Sequence, residues 1–308
     1  MLREDRYRKR MMLGQDGNSL VILLIILAVV FCIFKFIHIA LWMSGMSEAE
    51  LAVAYRENIF NWFNLPASLN TLVTRPWTII TYMFMHDGVW HFLGNVLWLW
   101  AFGYILQDLT GNRKLIPIFL YGGMAGALVF LITYNVIPRL SVAGTTLEGA
   151  SAGVMAVAIA TTVLAPSYRI FPMLNGGIPL WVLTIIFVII DFASIPVNNT
   201  GGHIAHLAGA AMGFVFIKQL QGGSDWSDWM NKFFDWVSSL FNPSKKEWKK
   251  TARQSYYYKT EGTQPFKKIP NITQKRVDDI LDKINQRGYR SLTDEEKEIL
   301  KRASEADN

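Results

Sequence analysis

Apolar residues fall into six runs over the first two thirds of the chain: Ser19–Met43, His91–Leu106, Leu115–Ile137, Gly149–Ala165, Ile178–Phe192 and His203–Ile217. A helix that crosses a bilayer takes roughly 17–25 predominantly apolar residues. The runs reach or approach that length, several of them at or just under its short end, and only Lys35 and His38 interrupt the first. The pattern predicts an all-α membrane protein with a six-helix bundle over residues 19–220. A long loop, 44–76, separates the first two spans; its Trp62, Phe63 and Leu65 suit a partly helical hairpin dipping into the interface. The other loops are short.

The periodicity changes after the sixth run. Trp226, Trp229, Met230, Phe233, Val237, Leu240 and Phe241 recur near i, i+3, i+4, i+7, with Asp225, Asp228, Lys232 and Asp235 opposite them. That spacing predicts an amphipathic interfacial helix over 221–242. A basic linker, 243–270, follows, and then a helical hairpin over 271–308. The first hairpin helix carries Val277, Ile280, Leu281 and Ile284 on one face and stops at Gly288; Thr293 and Glu296 form a capping box for the second. So short a unit buries little core alone, and the partner of the hairpin is not readable from the sequence.

Charge sets the orientation. Arg3, Arg6, Arg8, Lys9 and Arg10 crowd the N-terminal tail, 1–18, and lysines crowd the C-terminal one; Arg113, Lys114 and Arg169 join them on the same side of a six-span chain. The positive-inside rule then gives N-in, C-in, and the short loops suit a multi-pass protein of a bacterial inner membrane. The first run is longer than a signal-peptide h-region and lacks a small-x-small site after it, so it reads as an uncleaved helix. With 51% hydrophobic and 18% charged residues and a net charge of +6, much of it in the tail, the basic balance points to anionic lipid rather than nucleic acid. One cysteine, Cys32, allows no intrachain disulfide.

Polar groups inside apolar spans are costly and are functional suspects by default. His91 and Asn95 share a face of the second run at i, i+4; Ser151 opens the fourth in Gly149-Ala150-Ser151-Ala152-Gly153; His206 lies near the start of the sixth. All four fall at the same, outer end of their spans. A serine at a helix N-terminus has free backbone N–H groups and a positive helix end beside it, as acyl transfer requires for a developing oxyanion. Ala205, Gly209 and Gly213 make one small-residue stripe and Ala152, Ala156 and Ala160 another. Such faces let backbones approach closely, and if the two meet, Ser151 comes within reach of His206. His86 and His203 read as structural, His38 as interfacial, and Asp191 as ending the fifth run in water.

The chain here resembles the rhomboid family of intramembrane serine proteases, over roughly Trp77 to Ile217. The resemblance rests on His91-x3-Asn95, on Gly149-x-Ser151, and on Ala205-His206-x2-Gly209-x3-Gly213, in that order. It implies Ser151 as nucleophile and His206 as general base, a dyad without a carboxylate. It also implies an oxyanion site from the Ser151 N–H with His91 and Asn95, packing roles for Gly149, Gly153, Gly209 and Gly213, and no cofactor or metal. Substrates would be single-span membrane proteins, cut near the outer end of their helix and admitted beside the fifth span. Ala152 and Met155 stand where the family often has glycine and an aromatic, Thr78 follows Trp77 in place of arginine (Arg75 is nearest), and Gln107 with Asp108 replaces an acidic residue.

Four imidazoles could hold a metal, but no HExxH pattern or carboxylate accompanies them. A catalytically inactive rhomboid-like protein that binds clients would have no reason to keep nucleophile and base. A transporter would show repeated spans or paired interrupted helices. For the tail, a fragment from Gly223 onward is expected to bind anionic vesicles in cosedimentation and to release as salt rises. Equal binding to neutral vesicles at high salt would leave only the apolar face as the cause.

Overall fold

The computed structural model describes residues 18–140, 142, 144–170, 176–197, 199–241 and 274–306. The basic N-terminal tail up to residue 17 and the basic linker 243–270 lie outside them. By contact the chain divides into a larger unit, Met1–Trp236, and a smaller one, Val237–Asn308.

Helix α1 is Ser19–Met43, capped by the Asn18 side chain on the N–H groups of Leu20 and Val21. The loop that follows is itself folded: α2 (Glu48–Leu51) runs into a π-turn over Ala52–Glu57, and α3 (Leu69–Thr74) and α4 (Thr78–Thr81) follow. Its ring cluster of Phe60, Tyr55 and Phe34 buries it against α1, where His38 also stacks on Tyr55. Arg75 lies over the Trp62 ring at 3.9 Å, and the Trp77 indole N–H donates to the Trp62 carbonyl. Between α2 and α3, β1 (Leu65–Pro66) pairs antiparallel with β2 (Thr146–Leu147).

Helices α5 (Val89–Thr110), α6 (Leu115–Val136), α7 (Ser151–Leu164), α8 (Leu180–Ser194) and α9 (Thr200–Gln221) complete the bundle. A small hairpin, β3 (Arg169–Ile170) with β4 (Ile178–Pro179), leads into α8. Among the described residues, α1, α5, α6 and α9 are long and apolar enough to cross a membrane. Helices α7 and α8 are apolar but shorter. The 14 residues of α7 rise only about 21 Å, against a hydrocarbon core of about 30 Å. Protein surrounds α7 on all sides, so its ends need not reach the lipid boundary.

The centre of the bundle is a three-helix contact made on small residues. A β-carbon added to Gly209 or Gly213 of α9 would lie 2.1 or 2.2 Å from the carbonyl oxygens of Ala152 or Ala156 on α7. From α6, Gly122 meets the Ala156 β-carbon and Gly126 meets Ala152 and Ala205. Gly153 receives the Phe119 ring. Between lipid-solvated helices the association comes from close van der Waals contact rather than hydrophobic burial, and these residues allow it. On the other side, the Thr161 hydroxyl of α7 donates to the Phe102 carbonyl of α5. Helices α1 and α8 are peripheral; α8 buries Leu180, Thr184 and Asp191 and exposes Ile185, Ile186, Ile189, Ile190 and Phe192.

Helix α10 (Ser227–Phe241) is tied to the α5–α6 loop: Lys114 pairs with Asp225 and donates to Ser227, and Asn231 donates to the Arg113 carbonyl. Trp229, Phe233 and Trp236 stay exposed, whereas Met230 is buried. In the smaller unit, α11 (Gln274–Arg287) ends at Gly288 in a left-handed turn (φ +76°) and α12 (Asp294–Ala306) returns along it. Thr293 and Glu296 exchange both bonds of a capping box, and Glu296 also takes the Lys283 ammonium at 2.8 Å. Ile280, Leu292 and Ile299 form the core, joined by Val277 and Ile284. Leu281, expected on that face, is exposed: a two-helix seam takes i, i+3 and i+7, and the next residue turns away by about 100°.

Gly209→Val is expected to force α7 and α9 apart and to lower stability by about 1–3 kcal/mol or more, as overpacking does. Thermal unfolding of the detergent-solubilised variant measures this; an unchanged midpoint would mean that the contact yields without cost.

Candidate active site

The site is assembled where three helices begin. After β2 the chain passes through Glu148, whose carboxylate accepts from the Asn64 amide (3.1 Å) and the Asp87 backbone N–H (3.4 Å). Burial pushes the pKa of this carboxyl up. Gly149 follows with φ +111°, a left-handed turn where a side chain would be strained. Its N–H donates to the Tyr82 carbonyl at 2.9 Å, and a β-carbon there would strike the His91 ring at 2.7 Å. The buried Ala150 then donates its N–H to His86 Nε2 at 3.3 Å. Ser151 is the first residue of α7, so its N–H and the two after it have no carbonyl within the helix to bond.

His206, in the second turn of α9, meets Ser151. The Ser151 hydroxyl donates to His206 Nε2 at 2.5 Å. The close α7–α9 contact at Ala152–Gly209 makes this possible, since it lies one residue beyond Ser151 and one turn beyond His206. His91 borders the same space: the position of a Gly149 β-carbon lies 2.8 Å from His91 Nε2 and 3.7 Å from Ser151 Oγ. Asn95, buried one turn further on, donates one amide proton to the His91 carbonyl at 2.9 Å and keeps a second. Gly153, Gly209 and Gly213 take the packing positions described above.

One expectation needs correction. Asp191 does not end α8 in water; it is 5% exposed, and its Oδ1 accepts from Nδ1 of His203 (2.7 Å) and from Nδ1 of His206 (2.9 Å). A carboxylate near a span end ordinarily reaches the headgroups, but α8 packs on α9 and this one turns inward to the two imidazoles there. The expected dyad without a carboxylate therefore has one in contact with its base. His203 belongs to the same chain of bonds. The available signal was an acid inside the apolar run Ile189-Ile190-Asp191-Phe192.

His86 also has a more definite place than a generic structural one. Nδ1 faces the Phe84 carbonyl at 3.4 Å while Nε2 accepts from Ala150, an arrangement that needs the neutral Nδ1–H tautomer. Burial, helped by the neighbouring His91 ring, pushes the His86 imidazole down to about 3. Met155 lines a cavity of about 20 Å³ with Trp98, Phe102, Leu183, Thr184 and Phe187.

Asp191, His203 and His206 form the group of potential metal ligands found among the described residues, with ligand atoms within 4.8 Å of one another. Their 2.7 and 2.9 Å separations are hydrogen-bond distances. Ligand atoms around a tetrahedral metal at about 2.0–2.2 Å would stand roughly 3.3 Å or more apart. The geometry fits a proton chain: His206 with Nδ1–H held by Asp191 leaves its Nε2 lone pair for the Ser151 proton. A serine so paired, at the positive end of a buried helix, can attack an acyl carbon.

Residues 73–220 match the family described as Rhomboid domain, and residues 267–306 match a family of unknown function, DUF6576. The chain is similar to "RHOMBOID-like protein 12, mitochondrial" of Arabidopsis thaliana, 24% identical over 207 residues, which are 59% of this chain and 62% of that protein. It is also similar to "Rhomboid-related protein 1" of Caenorhabditis elegans, 28% identical over 153 residues, 46% of this chain and 38% of that one. The chain thus spans less than two thirds of the length of these relatives.

Because the folded state holds His86 neutral, its unfolded chain binds the extra proton first as pH falls. Stability is expected to be full above about 6.5 and to decline between there and about 3. His86→Gln should lose about 1–3 kcal/mol at neutral pH through the unanchored Ala150 N–H and show a flatter decline in acid. Unfolding midpoints against pH measure both; an unchanged slope in the variant would remove His86 as the cause.

Proposed function

This chain belongs to the rhomboid family, and on that footing we propose that it is an intramembrane serine endopeptidase acting on single-span membrane proteins. The observation that carries the reading is the 2.5 Å contact between Ser151 Oγ and His206 Nε2 at the N-terminus of buried α7. Six spans with both termini cytoplasmic, in a bacterial inner membrane, fit the charge pattern and count the short α7 and α8 as spans. Because α7 is short, its first residue lies below the outer membrane surface, and the bond cut is near the outer end of a substrate helix.

In the reaction the Ser151 proton passes to His206 Nε2 as Oγ bonds to the scissile carbonyl carbon. The carbonyl electrons move onto oxygen, which the Ser151 N–H and the His91 and Asn95 side chains receive. His206 then gives its proton to the departing amine, and water repeats the sequence on the acyl-enzyme. Substrate is admitted beside α8. Supporting this, α8 buries few residues and closes on α5 through the edge-on contact of Phe187 with Trp98, 4.3 Å between ring centres. The exposed Trp229, Phe233 and Trp236 of α10 suit the headgroup region, with the Lys-rich linker on anionic lipid.

Ser151→Ala and His206→Ala are each expected to abolish cleavage of a single-span substrate in proteoliposomes, and the double variant should be no worse, as for residues acting as one unit. Asn95→Ala should lose up to roughly 10²–10³-fold, the scale of one oxyanion donor. Chelators should leave the rate unchanged. Cleavage that survives Ser151→Ala and stops with a chelator would sink the serine mechanism in favour of metal at Asp191, His203 and His206.

A further inference from the structure

We propose that Asp191 is the positioning residue of the base, so that this chain works with a Ser151–His206–Asp191 triad in place of a two-residue pair. The inference rests on the protease reading above and adds a third member to it. Its starting point is the cost of the residue. A carboxylate buried in an apolar helix is unfavourable unless it is paired and hydrogen-bonded, and an apolar side chain of similar volume would often be as stable or more so there. Ile189, Ile190 and Phe192 around it all face outward, so packing alone offers no reason for an acid at 191.

What the carboxylate does is visible in its contacts. Its Oδ1 lies 2.9 Å from His206 Nδ1, on the ring atom opposite the one that meets Ser151. Accepting the Nδ1–H fixes the tautomer in which Nε2 carries a lone pair; the other tautomer would aim an N–H at the serine hydroxyl and could take no proton. It also fixes the ring plane. His203, one turn earlier on α9, donates to the same oxygen at 2.7 Å. Two imidazoles of one helix face thus hold one carboxylate oxygen, and the carboxylate cannot turn away from His206 without breaking both bonds.

The proton balance is simple. When Ser151 attacks, one proton moves from Oγ to Nε2 and the imidazole becomes an imidazolium; Asp191 stays ionised and faces the new charge. When the amine leaves, the same proton goes to its nitrogen and the imidazole is neutral again. Asp191 takes no proton and touches no substrate, which makes it a positioning residue.

The test uses the full chain, purified and reconstituted, with Ser151→Ala as the reference. Asp191→Asn keeps the shape but prefers the wrong tautomer, and should lower kcat roughly 10²–10⁴-fold, the scale of such a change in serine proteases, with KM and the unfolding midpoint unmoved. Asp191→Glu should recover part of that loss. By proton NMR, wild type and Ser151→Ala should show low-field imidazole N–H resonances, of which His206→Ala removes one and Asp191→Asn removes those of both His203 and His206. These report the hydrogen bonds, and the fall in kcat at unmoved KM and unfolding midpoint separates positioning of the base from a merely structural role. A folded Asp191→Asn with kcat within about threefold of wild type, while Ser151→Ala is inactive, would overturn the triad and leave the protease reading standing. Cleavage by Ser151→Ala would overturn the protease reading instead.

Discussion

At Gly209 the backbones of α7 and α9 come so close that a β-carbon would sit 2.1 Å from the Ala152 carbonyl oxygen. That approach is the constraint on which the rest depends. It extends along both helices, through Gly213 with Ala156, and α6 joins it with Gly122 and Gly126. The serine is one residue before this contact on α7 and the histidine one turn before it on α9. Their hydrogen bond is therefore a consequence of how the helices pack, since a serine hydroxyl is too short to bridge a wider gap.

The Ser151 end of α7 needs a second restraint, because packing along the helix does not fix the turn that opens it. The loop before Ser151 is held at each residue: Leu147 pairs with Leu65, Glu148 accepts from Asn64, Gly149 donates to Tyr82, and Ala150 donates to His86. Of these partners, Leu65 and Asn64 belong to the long loop after α1, and Tyr82 and His86 precede α5 by only a few residues. The folded loop over residues 44–76 thus supports the turn that opens α7 at Ser151 rather than merely joining two helices.

Much of this arrangement was legible in the sequence, for a physical reason. His91, Ser151 and His206 stand out because polar groups are rare in apolar runs, and Gly209 and Gly213 stand out because small residues at i, i+4 need a use. Asp191 is not legible because sequence position near a span end does not say whether a side chain turns to water or inward; only the packing of α8 on α9, with His203 and His206 beneath it, decides that. His86 lies in a loop without periodicity, and its bond to Ala150 spans 64 residues, so no local pattern carries it. Leu281 stays outside the core because a four-residue apolar stripe is wider than the seam of a two-helix hairpin.

The central claim is that the Ser151 oxygen, activated by His206, is the atom that attacks. Mass spectrometry of the reconstituted protein after a fluorophosphonate probe tests it most directly, since the probe leaves a covalent adduct on the oxygen that reacts. The account predicts an adduct on the peptide that carries Ser151, absent after denaturation before labelling and strongly reduced in His206→Ala. An adduct on another residue, or none in a preparation that cleaves its substrate, would contradict it.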